Sequence, residues 1–204
     1  MNLSVYFVTP ERSDRPLAEL VLAAVRGGAG VVQLRDKTAT EAEMVRVARE
    51  LRALLAPLGV PLIINDRVEV MLAAGADGLH VGQGDAPVAE MRRVIGGRIL
   101  GLSIETLAQV QAMPEGVVDY IGVGPIHATA TKPDAAAPLG MAGLAQIVRA
   151  ARVPAVAIGG LGLADVAPVR ATGAAGMAVV SAIAAAADPE RATRAMVAAW
   201  EGAA

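Results

Sequence analysis

Short apolar segments alternate with longer helical patterns along this 204-residue chain, and this alternation most constrains its fold. Eight segments have the length and apolar character of buried strands: 4–8, 30–34, 61–65, 78–81, 98–103, 120–124, 155–159 and 176–180. Helical patterns lie between them, for example at 40–55, where Thr40 is the expected N-cap with Glu43 three residues later. Strands that alternate with helices pair in parallel, and the helices cover the sheet.

A repeated glycine pattern supports an arrangement of eight β/α units. The segments RGGAGVV, AAGADGL and ATGAAGM each place a glycine at an expected helix end, at Gly27, Gly75 and Gly173. Glycine there relieves the strain of a left-handed helix C-cap. Eight such units predict an α/β fold, a single-domain (β/α)8 TIM barrel over residues 1–204. A doubly wound open sheet is the alternative, but TPERSD follows the first strand where that fold has G-x-G-x-x-G.

Composition excludes several functional classes. Hydrophobic residues make up 54% of the chain, which is ample for a core, whereas aromatic residues make up only 2% and offer few surfaces for base stacking. The formal net charge is −2 without a block of like charge, so we expect no binding to nucleic acid or membrane surfaces. The absence of cysteine excludes disulfides and thiolate sites. No segment resembles a secretory signal or a membrane span, and we expect a cytoplasmic protein.

Polar residues follow most of the predicted strands, where the chemistry of parallel α/β proteins gathers. They are Thr9; Gln33, Arg35 and Lys37; Asn65 and Asp66; His80, Gln83 and Asp85; Ser103; His127, Thr129, Thr131 and Lys132; and Ser181. Lys37 and Lys132 are the only two lysines in a chain whose other basic side chains are arginine, apart from two histidines. Their position at strand ends indicates that an ammonium group is needed there.

The segment QLRDK places three polar side chains on one face of the second strand. Residues two apart in a strand share a face, so Gln33, Arg35 and Lys37 continue the inward row if the extended conformation persists. Arginine makes forked contacts to phosphate oxygens and lysine acts as a point charge, which predicts an anion site. The alternative is a solvated strand end in which Asp36 pairs with Arg35 or Lys37.

Asp66 and Asp85 are candidate metal ligands. Magnesium commonly takes one or two protein carboxylates and completes its shell with water and substrate phosphates. Two carboxylates facing a cationic rim therefore fit a Mg²⁺–diphosphate complex. The alternatives are an N-cap before a helix at 67–74 for Asp66, and an N-cap or turn before Pro87 for Asp85. Zinc binding by His80 and His127 is not expected, because no third ligand or H-x-x-x-H spacing accompanies them.

The last three strands are followed by segments suited to phosphate. GPIHATATKPD supplies the hydroxyl and backbone N–H groups of Thr129 and Thr131 and the charge of Lys132. AIGGLG and AVVSA follow the seventh and eighth strands, where barrel enzymes often bind phosphate on glycine amides and a helix N-terminus. We expect a second phosphate site there.

In their order and spacing these segments resemble the thiamine phosphate synthase family over essentially the whole chain. The matching stretches are YFVT, QLRDK, IINDRV, GADGLHVGQGD, ILGLS, DYIGVGPIHATATK, AIGG and VVSAI. The resemblance implies a (β/α)8-barrel transferase of thiamine biosynthesis. Such an enzyme joins 4-amino-2-methyl-5-hydroxymethylpyrimidine diphosphate to 4-methyl-5-(2-hydroxyethyl)thiazole phosphate, or its carboxylated form, and releases diphosphate.

The resemblance also implies a role for each matching residue. Pyrimidine diphosphate would be bound by Gln33, Arg35, Lys37, Asn65, Ser103 and Lys132, with Lys37, Ser103 and Lys132 acting in catalysis. Thiazole phosphate would be bound by Thr129, Ala130, Thr131, Gly160, Val180 and Ser181, and Mg²⁺ by Asp66 and Asp85. The implied reaction is dissociative, so it needs positioning and charge stabilisation more than a strong base.

Some positions depart from the family pattern, and other functions remain open. Pro10, Gly84 and the pair His127-Ala128 differ from the usual residues, from which we expect altered loop packing. A thiazole tautomerase-like isomerase shares the fold but has no use for Lys37, Asp66, Asp85 and Lys132. A phosphate-binding isomerase of indole or histidine biosynthesis and a non-catalytic ligand-binding barrel are further alternatives. The expected partners are small-molecule substrates, and the oligomeric state stays open, a homo-oligomer included.

Overall fold

Eight parallel strands close into a barrel in the computed structural model, which describes residues 1–128 and 137–202. The strands are β1 (Val5–Val8), β2 (Val31–Leu34), β3 (Leu62–Asn65), β4 (Gly78–Val81), β5 (Ile99–Ile104), β6 (Tyr120–Val123), β7 (Ala155–Ile158) and β8 (Gly176–Val179). Each strand pairs with the next, and β8 returns to pair with β1 through Tyr6 and Ala178. This closure confirms the predicted (β/α)8 barrel and shows that the doubly wound alternative is wrong.

Helices surround the barrel on its outer side. They are α1 (Leu17–Arg26), α2 (Glu41–Leu55), α3 (Val68–Ala74), α4 (Val88–Ile95), α5 (Leu107–Ala112), α6 (Gly140–Ala150), α7 (Val166–Ala171), α8 (Ser181–Ala184) and α9 (Pro189–Gly202). Short 3₁₀ segments lie at Ala56–Leu58 and Leu163–Asp165. Within the described ranges, no helix has both the length and the apolar character that crossing a membrane requires.

Strand alternation divides the apolar core into two layers. In β2, Val31 belongs to the small cluster inside the barrel, whereas Val32 and Leu34 pack in the large cluster between strands and helices. Gln33 lies on the inner side with Val31, where its amide reaches Tyr6. Gln33 therefore continues the inward row of β2, because neighbouring residues of a strand face opposite sides. Arg35 and Lys37 lie beyond the end of the strand and line the cavity.

The glycine pattern is partly corrected by the structure. Gly75 and Gly173 have positive φ angles of 66° and 85°, as predicted for helix ends. Gly27 instead has φ −74°, and the positive φ of 105° falls on Gly28. The reason for glycine at position 27 is close packing, because a Cβ atom there would lie 2.5 Å from the carbonyl oxygen of Glu190 in α9.

The predicted N-cap of α2 is confirmed and forms a complete capping box. The Thr40 hydroxyl accepts a hydrogen bond from the Glu43 N–H, and the Glu43 carboxylate accepts one from the Thr40 N–H at 2.8 Å. We expect Thr40→Ala to lower the free energy of unfolding by about 1 kcal/mol, because it leaves a helix N–H without its acceptor. Urea unfolding followed by circular dichroism measures the change. Thr40→Ser retains the hydroxyl and should stay close to wild type; an equal loss in both variants would contradict this role of the cap.

Candidate active site

A cavity of about 430 Å³ opens where the carboxyl ends of the strands meet. Every predicted site residue that the structure describes lines it: Gln33, Arg35, Lys37, Asn65, Asp66, Asp85, Ser103, Gly160, Val180 and Ser181. The remaining predicted residues, Thr129, Ala130, Thr131 and Lys132, lie outside the described residues. Residues from six strand ends therefore converge on one cavity, although no contact with a ligand tests their individual roles.

The end of β2 supplies the cationic side of the cavity. The Thr9 hydroxyl accepts a hydrogen bond from the Arg35 backbone N–H at 3.0 Å, and the Arg35 guanidinium forms a 2.8 Å ion pair with Glu11. This side chain is only 15% exposed, so the guanidinium is held in place. Lys37 lies further out, exposed at the cavity mouth.

Asp36 stabilises the turn that follows β2. Its carboxylate accepts hydrogen bonds from the Thr38 N–H and hydroxyl, each at 2.8 Å, and from the Ala39 N–H at 3.0 Å. Partial burial opposes ionisation, but these hydrogen bonds outweigh it and lower the pKa of Asp36. The alternative pairing of Asp36 with Arg35 or Lys37 is not the arrangement found, since Arg35 pairs with Glu11.

Asp66 is held in a strained conformation directly after β3. Its φ of 59° makes it the one non-glycine residue with positive φ in the described part of the chain, and its N–H donates to the His80 carbonyl oxygen at 2.9 Å. A non-glycine residue in this region costs free energy that surrounding structure must supply. The N-cap of α3 is Arg67, so the alternative that Asp66 caps this helix is wrong.

Asp66 and Asp85 face each other across the cavity edge. Burial raises the pKa of Asp66, and the negative charge and hydrogen bond of Asp85 raise it further, while Lys37 and Asn65 act in the opposite direction. Two neighbouring carboxylates repel each other when both are ionised, which is why the pKa of one of them rises.

Asp85 also holds the turn that precedes α4. Its Oδ2 atom accepts a 2.7 Å hydrogen bond from the Gly82 N–H. The alternative prediction that Asp85 forms a turn before Pro87 is therefore confirmed. The N-cap of α4 is Pro87. The turn uses one carboxylate oxygen and is compatible with a second role at the cavity.

A chain of hydrogen bonds crosses the barrel interior beneath the cavity. Gln33 Nε2 donates to the Tyr6 hydroxyl at 2.8 Å, the Tyr6 and Tyr120 hydroxyls are 2.8 Å apart, and Tyr120 lies 2.9 Å from His80 Nδ1. His80 Nε2 lies 3.0 Å from Ser103 Oγ. We call these five residues the polar chain. Burial lowers the pKa of His80 to about 4, against an opposing effect of Asp85, so the ring is neutral at pH 7.

Sequence reasoning did not identify Tyr6 and Tyr120 as site residues. They are the only two tyrosines of the chain, and each lies in a predicted strand. Strand alternation places Tyr6 two residues from Val8 on the inner face, which was an available signal. Their contact joins residues 114 positions apart and depends on the barrel being closed.

Both histidines have a protein partner on at least one ring nitrogen. His80 is hydrogen-bonded on both sides within the polar chain. His127 Nε2 lies 2.8 Å from Asp165 Oδ1, in front of α7. The described residues contain no group of three or more histidine and acidic side chains placed to hold one metal ion.

The opposite side of the cavity is made of tight turns after β7 and β8. Gly159 and Gly160 have φ angles of 104° and 67°, and a Cβ atom at Gly160 would lie 2.9 Å from the Ala128 carbonyl oxygen. Glycine is thus required here by conformation and by space. Val180 precedes α8 and Ser181 begins it, so backbone from two consecutive units borders this side.

Gly101 provides the space for the polar chain. A Cβ atom there would lie 2.3 Å from Tyr120 Cζ and 2.4 Å from His80 Nδ1, whereas at Gly122 the nearest atom would be His80 Cε1 at 3.2 Å. We expect Gly101→Ala to lower the free energy of unfolding by about 1–3 kcal/mol, because both rings are confined. Gly122→Ala is the matched control with a smaller loss. Urea midpoints compare them, and equal midpoints for the two variants would contradict this explanation.

The fold and the site together define a class, that of (β/α)8-barrel proteins with a cavity lined by charged and polar side chains at the carboxyl ends of the strands. A family model described as thiamine monophosphate synthase matches residues 5–183. The chain belongs to this family. It is therefore an enzyme of the transferase class, and the function expected from the sequence, thiamine phosphate synthesis, is confirmed at the level of the family.

Individual relatives agree with this assignment over most of their length. The thiamine-phosphate synthase of Xanthobacter autotrophicus is 53% identical over 201 residues, covering 97% of this chain and 95% of that protein. The thiamine-phosphate synthase of a Roseiflexus species is 48% identical over 195 residues, covering 94% and 83%. The solved structure of thiamine phosphate pyrophosphorylase from Pyrococcus furiosus superimposes with a TM-score of 0.91 at 32% identity, covering 99% of this chain and 97% of that one.

Proposed function

We propose that the chain condenses 4-amino-2-methyl-5-hydroxymethylpyrimidine diphosphate with 4-methyl-5-(2-hydroxyethyl)thiazole phosphate, or its carboxylated form, to give thiamine phosphate and diphosphate. With the carboxylated form, the carboxyl group leaves as CO2 and a proton takes its place. The observation that carries the proposal is the convergence of two cations and two carboxylates, Arg35, Lys37, Asp66 and Asp85, on one cavity. This set suits a diphosphate bound together with a divalent cation.

Arg35 and Lys37 bind the diphosphate in this proposal. Among the described contacts, Glu11 engages the Nη1 atom of Arg35, so the other guanidinium nitrogens remain to contact phosphate oxygens. The 2.8 Å ion pair also orients the guanidinium before substrate arrives, which lowers the entropy lost on binding. Lys37 adds a mobile positive charge at the mouth.

The Asp66–Asp85 pair fits Mg²⁺ by its donor chemistry. Both side chains offer oxygen ligands, and the raised pKa of Asp66 indicates that a positive charge between them would be favourable. When bound, Mg²⁺ would supply Lewis-acid stabilisation of negative charge on the diphosphate. The positive φ of Asp66 aims its carboxylate from the end of β3 toward this position.

The residues of the chain favour a dissociative substitution. The aminopyrimidine ring donates electrons as the bond to diphosphate breaks, and the thiazole nitrogen then bonds to the resulting cation. Gln33, Asn65 and Ser103 orient the pyrimidine diphosphate, while Lys37, Ser103 and Lys132 stabilise charge on the leaving group. His80 is neutral and buried, which suits a positioning role, and with the uncarboxylated thiazole phosphate no proton needs to be exchanged with the protein for the reaction to balance.

The thiazole phosphate occupies the opposite side of the cavity in this proposal. Gly160, Val180 and Ser181 border that side through backbone that lies close to the cavity, and they act with Thr129, Ala130 and Thr131. Two phosphate sites on facing sides would bring the thiazole nitrogen and the reacting carbon together. Holding two reactants in this way supplies much of the catalysis in such a reaction.

The other candidate functions leave part of this site without a role. A thiazole tautomerase-like isomerase would use the side of the cavity bordered by Gly160 and Ser181. It would have no use for Lys37, Asp66 and Asp85, although all three line the cavity. The same objection applies to other phosphate-binding barrel isomerases and to a non-catalytic binding protein. The geometry therefore favours the synthase.

One assay separates these functions. Purified protein is mixed with both substrates, with and without Mg²⁺, and release of diphosphate and formation of thiamine phosphate are followed. We expect release only when the thiazole phosphate and the metal are both present. A mixture without thiazole phosphate controls for hydrolysis. If no condition led to release of diphosphate, the synthase function would be contradicted. Isomerisation of the thiazole phosphate without release of diphosphate would favour the tautomerase.

A further inference from the structure

The polar chain has a direction that follows from the orientation of the Gln33 amide and from counting the protons. Gln33 Nε2 donates to the Tyr6 hydroxyl, which has one proton of its own. Because buried hydroxyls donate as well as accept, the Tyr6 proton goes to Tyr120, 2.8 Å away. The Tyr120 proton then goes to His80 Nδ1 at 2.9 Å, so Nδ1 is the acceptor.

This direction determines what Ser103 presents to the cavity. A neutral imidazole has one N–H, so with Nδ1 accepting, the proton of His80 is on Nε2 and is donated to Ser103 Oγ at 3.0 Å. The Ser103 hydroxyl proton then has no acceptor within the polar chain. Ser103 lines the cavity, and its proton is available to an acceptor there.

Only one other arrangement satisfies every member of the polar chain. If the Gln33 amide were rotated so that its oxygen accepted from Tyr6, each following bond would reverse, and Ser103 would donate to His80. Ser103 would then offer the cavity only oxygen lone pairs, which repel an anion. Both tyrosines are essentially fully buried, at 2% and 0% exposure, so their hydroxyl protons stay within the polar chain in either arrangement.

We propose that Tyr6 and Tyr120 are positioning residues that, through His80, keep Ser103 a hydrogen-bond donor toward the cavity. The assignment of that donor to the departing diphosphate rests on the proposed function, whereas the direction of the polar chain is a property of the free protein. A donor placed where negative charge develops lowers the barrier, and an acceptor there would raise it.

Nitrogen NMR of the free protein tests the direction. The chain contains only two histidines, so ¹⁵N-histidine labelling gives two imidazole patterns, and His127→Gln identifies that of His80. We expect a neutral His80 with its proton on Nε2 and a hydrogen-bonded, unprotonated Nδ1. A proton on Nδ1, or a doubly protonated ring at pH 7, would overturn the proposal. This measurement needs no substrate, so it decides the direction even where diphosphate release fails.

The tyrosine variants test the connection to Ser103. Tyr120→Phe should move the resonance of His80 Nδ1 toward that of a ring nitrogen that accepts no hydrogen bond. It should also lower kcat by about tenfold, the effect of one lost buried hydrogen bond. Thr193→Val is the matched control, since it removes a buried hydroxyl that bonds to Pro189 in α9, away from the cavity. It should leave the His80 resonances unchanged.

A double-mutant cycle completes the test. If Tyr120 acts through Ser103, the combination of Tyr120→Phe with Ser103→Ala should have the kcat of Ser103→Ala alone. If the double variant lost kcat by the product of the two single-variant losses, the proposal would be overturned, because Tyr120 would then act independently of Ser103. Tyr6→Phe gives a second route to the same comparison if Tyr120→Phe does not fold.

Discussion

Lys37→Ala should lower kcat/KM for the pyrimidine diphosphate by about a hundredfold, the equivalent of one strong charge-assisted contact to phosphate. Lys37 lines the cavity mouth and acts electrostatically on Asp66, so its removal takes one positive charge away from both the diphosphate and the carboxylate pair. The difference in kcat/KM between the wild type and Lys37→Ala should be smaller at high ionic strength. The reason is that the Lys37 ammonium of the wild type is exposed and screened by salt.

Steady-state kinetics with saturating thiazole phosphate measures this loss. Lys37→Arg retains the charge and should recover part of the activity, while Arg46→Ala removes an exposed cation of α2, with a side chain 71% exposed, and should leave activity unchanged. Wild-type kinetics in Lys37→Ala would remove this residue from the mechanism. A loss of the same size in Arg46→Ala would show that net charge, rather than position, is responsible.

Asp85→Asn and Asp66→Asn should each raise the Mg²⁺ concentration needed for half-maximal diphosphate release by about a hundredfold. Both substitutions keep the size of the side chain and remove its charge. In Asp85→Asn the amide oxygen of the new side chain can still accept from the Gly82 N–H, which donates to Asp85 at 2.7 Å in the native chain. The turn before α4 should therefore persist in this variant.

Magnesium titrations of diphosphate release measure this prediction. Asp77→Asn is the matched control, since Asp77 also accepts a backbone hydrogen bond, from Leu62 at 2.8 Å, but precedes β4 at the opposite end of the barrel. It should titrate like the wild type. Unchanged titrations in both cavity variants would contradict the metal roles of Asp66 and Asp85, as would full wild-type activity after chelation of divalent metal.

Strand alternation and strand ends made much of this site predictable. Gln33, Arg35 and Lys37 were assigned to one face by their spacing of two, and they line one cavity because β2 leaves the core at that point. The sequence identifies Asp66 and Asp85 as residues that each follow a parallel strand. The barrel brings such positions together, whatever loops they belong to. Their assigned chemical roles remain predictions.

The contacts made by these residues were less predictable. The alternative to an anion site pairs Asp36 with Arg35 or Lys37, but the ion pair of Arg35 is with Glu11, 24 positions earlier in the chain. The loop after β1 places Glu11 beside the end of β2, because these two strands are neighbours in the barrel. Asp36 instead closes a local turn with Thr38, since a short carboxylate readily accepts hydrogen bonds from N–H groups two and three residues later.

By itself the sequence determined the eight β/α units, the inward row of β2 and the polar strand ends, because these depend on local periodicity and spacing. Only the tertiary structure decided that Tyr6 meets Tyr120 and that both connect Gln33 to His80 and Ser103. That connection joins β1, β2, β4, β5 and β6 across the barrel interior, so it exists only when the sheet has closed. Closure also confines both tyrosines away from water, and this burial leaves the polar chain only two opposite arrangements of its protons.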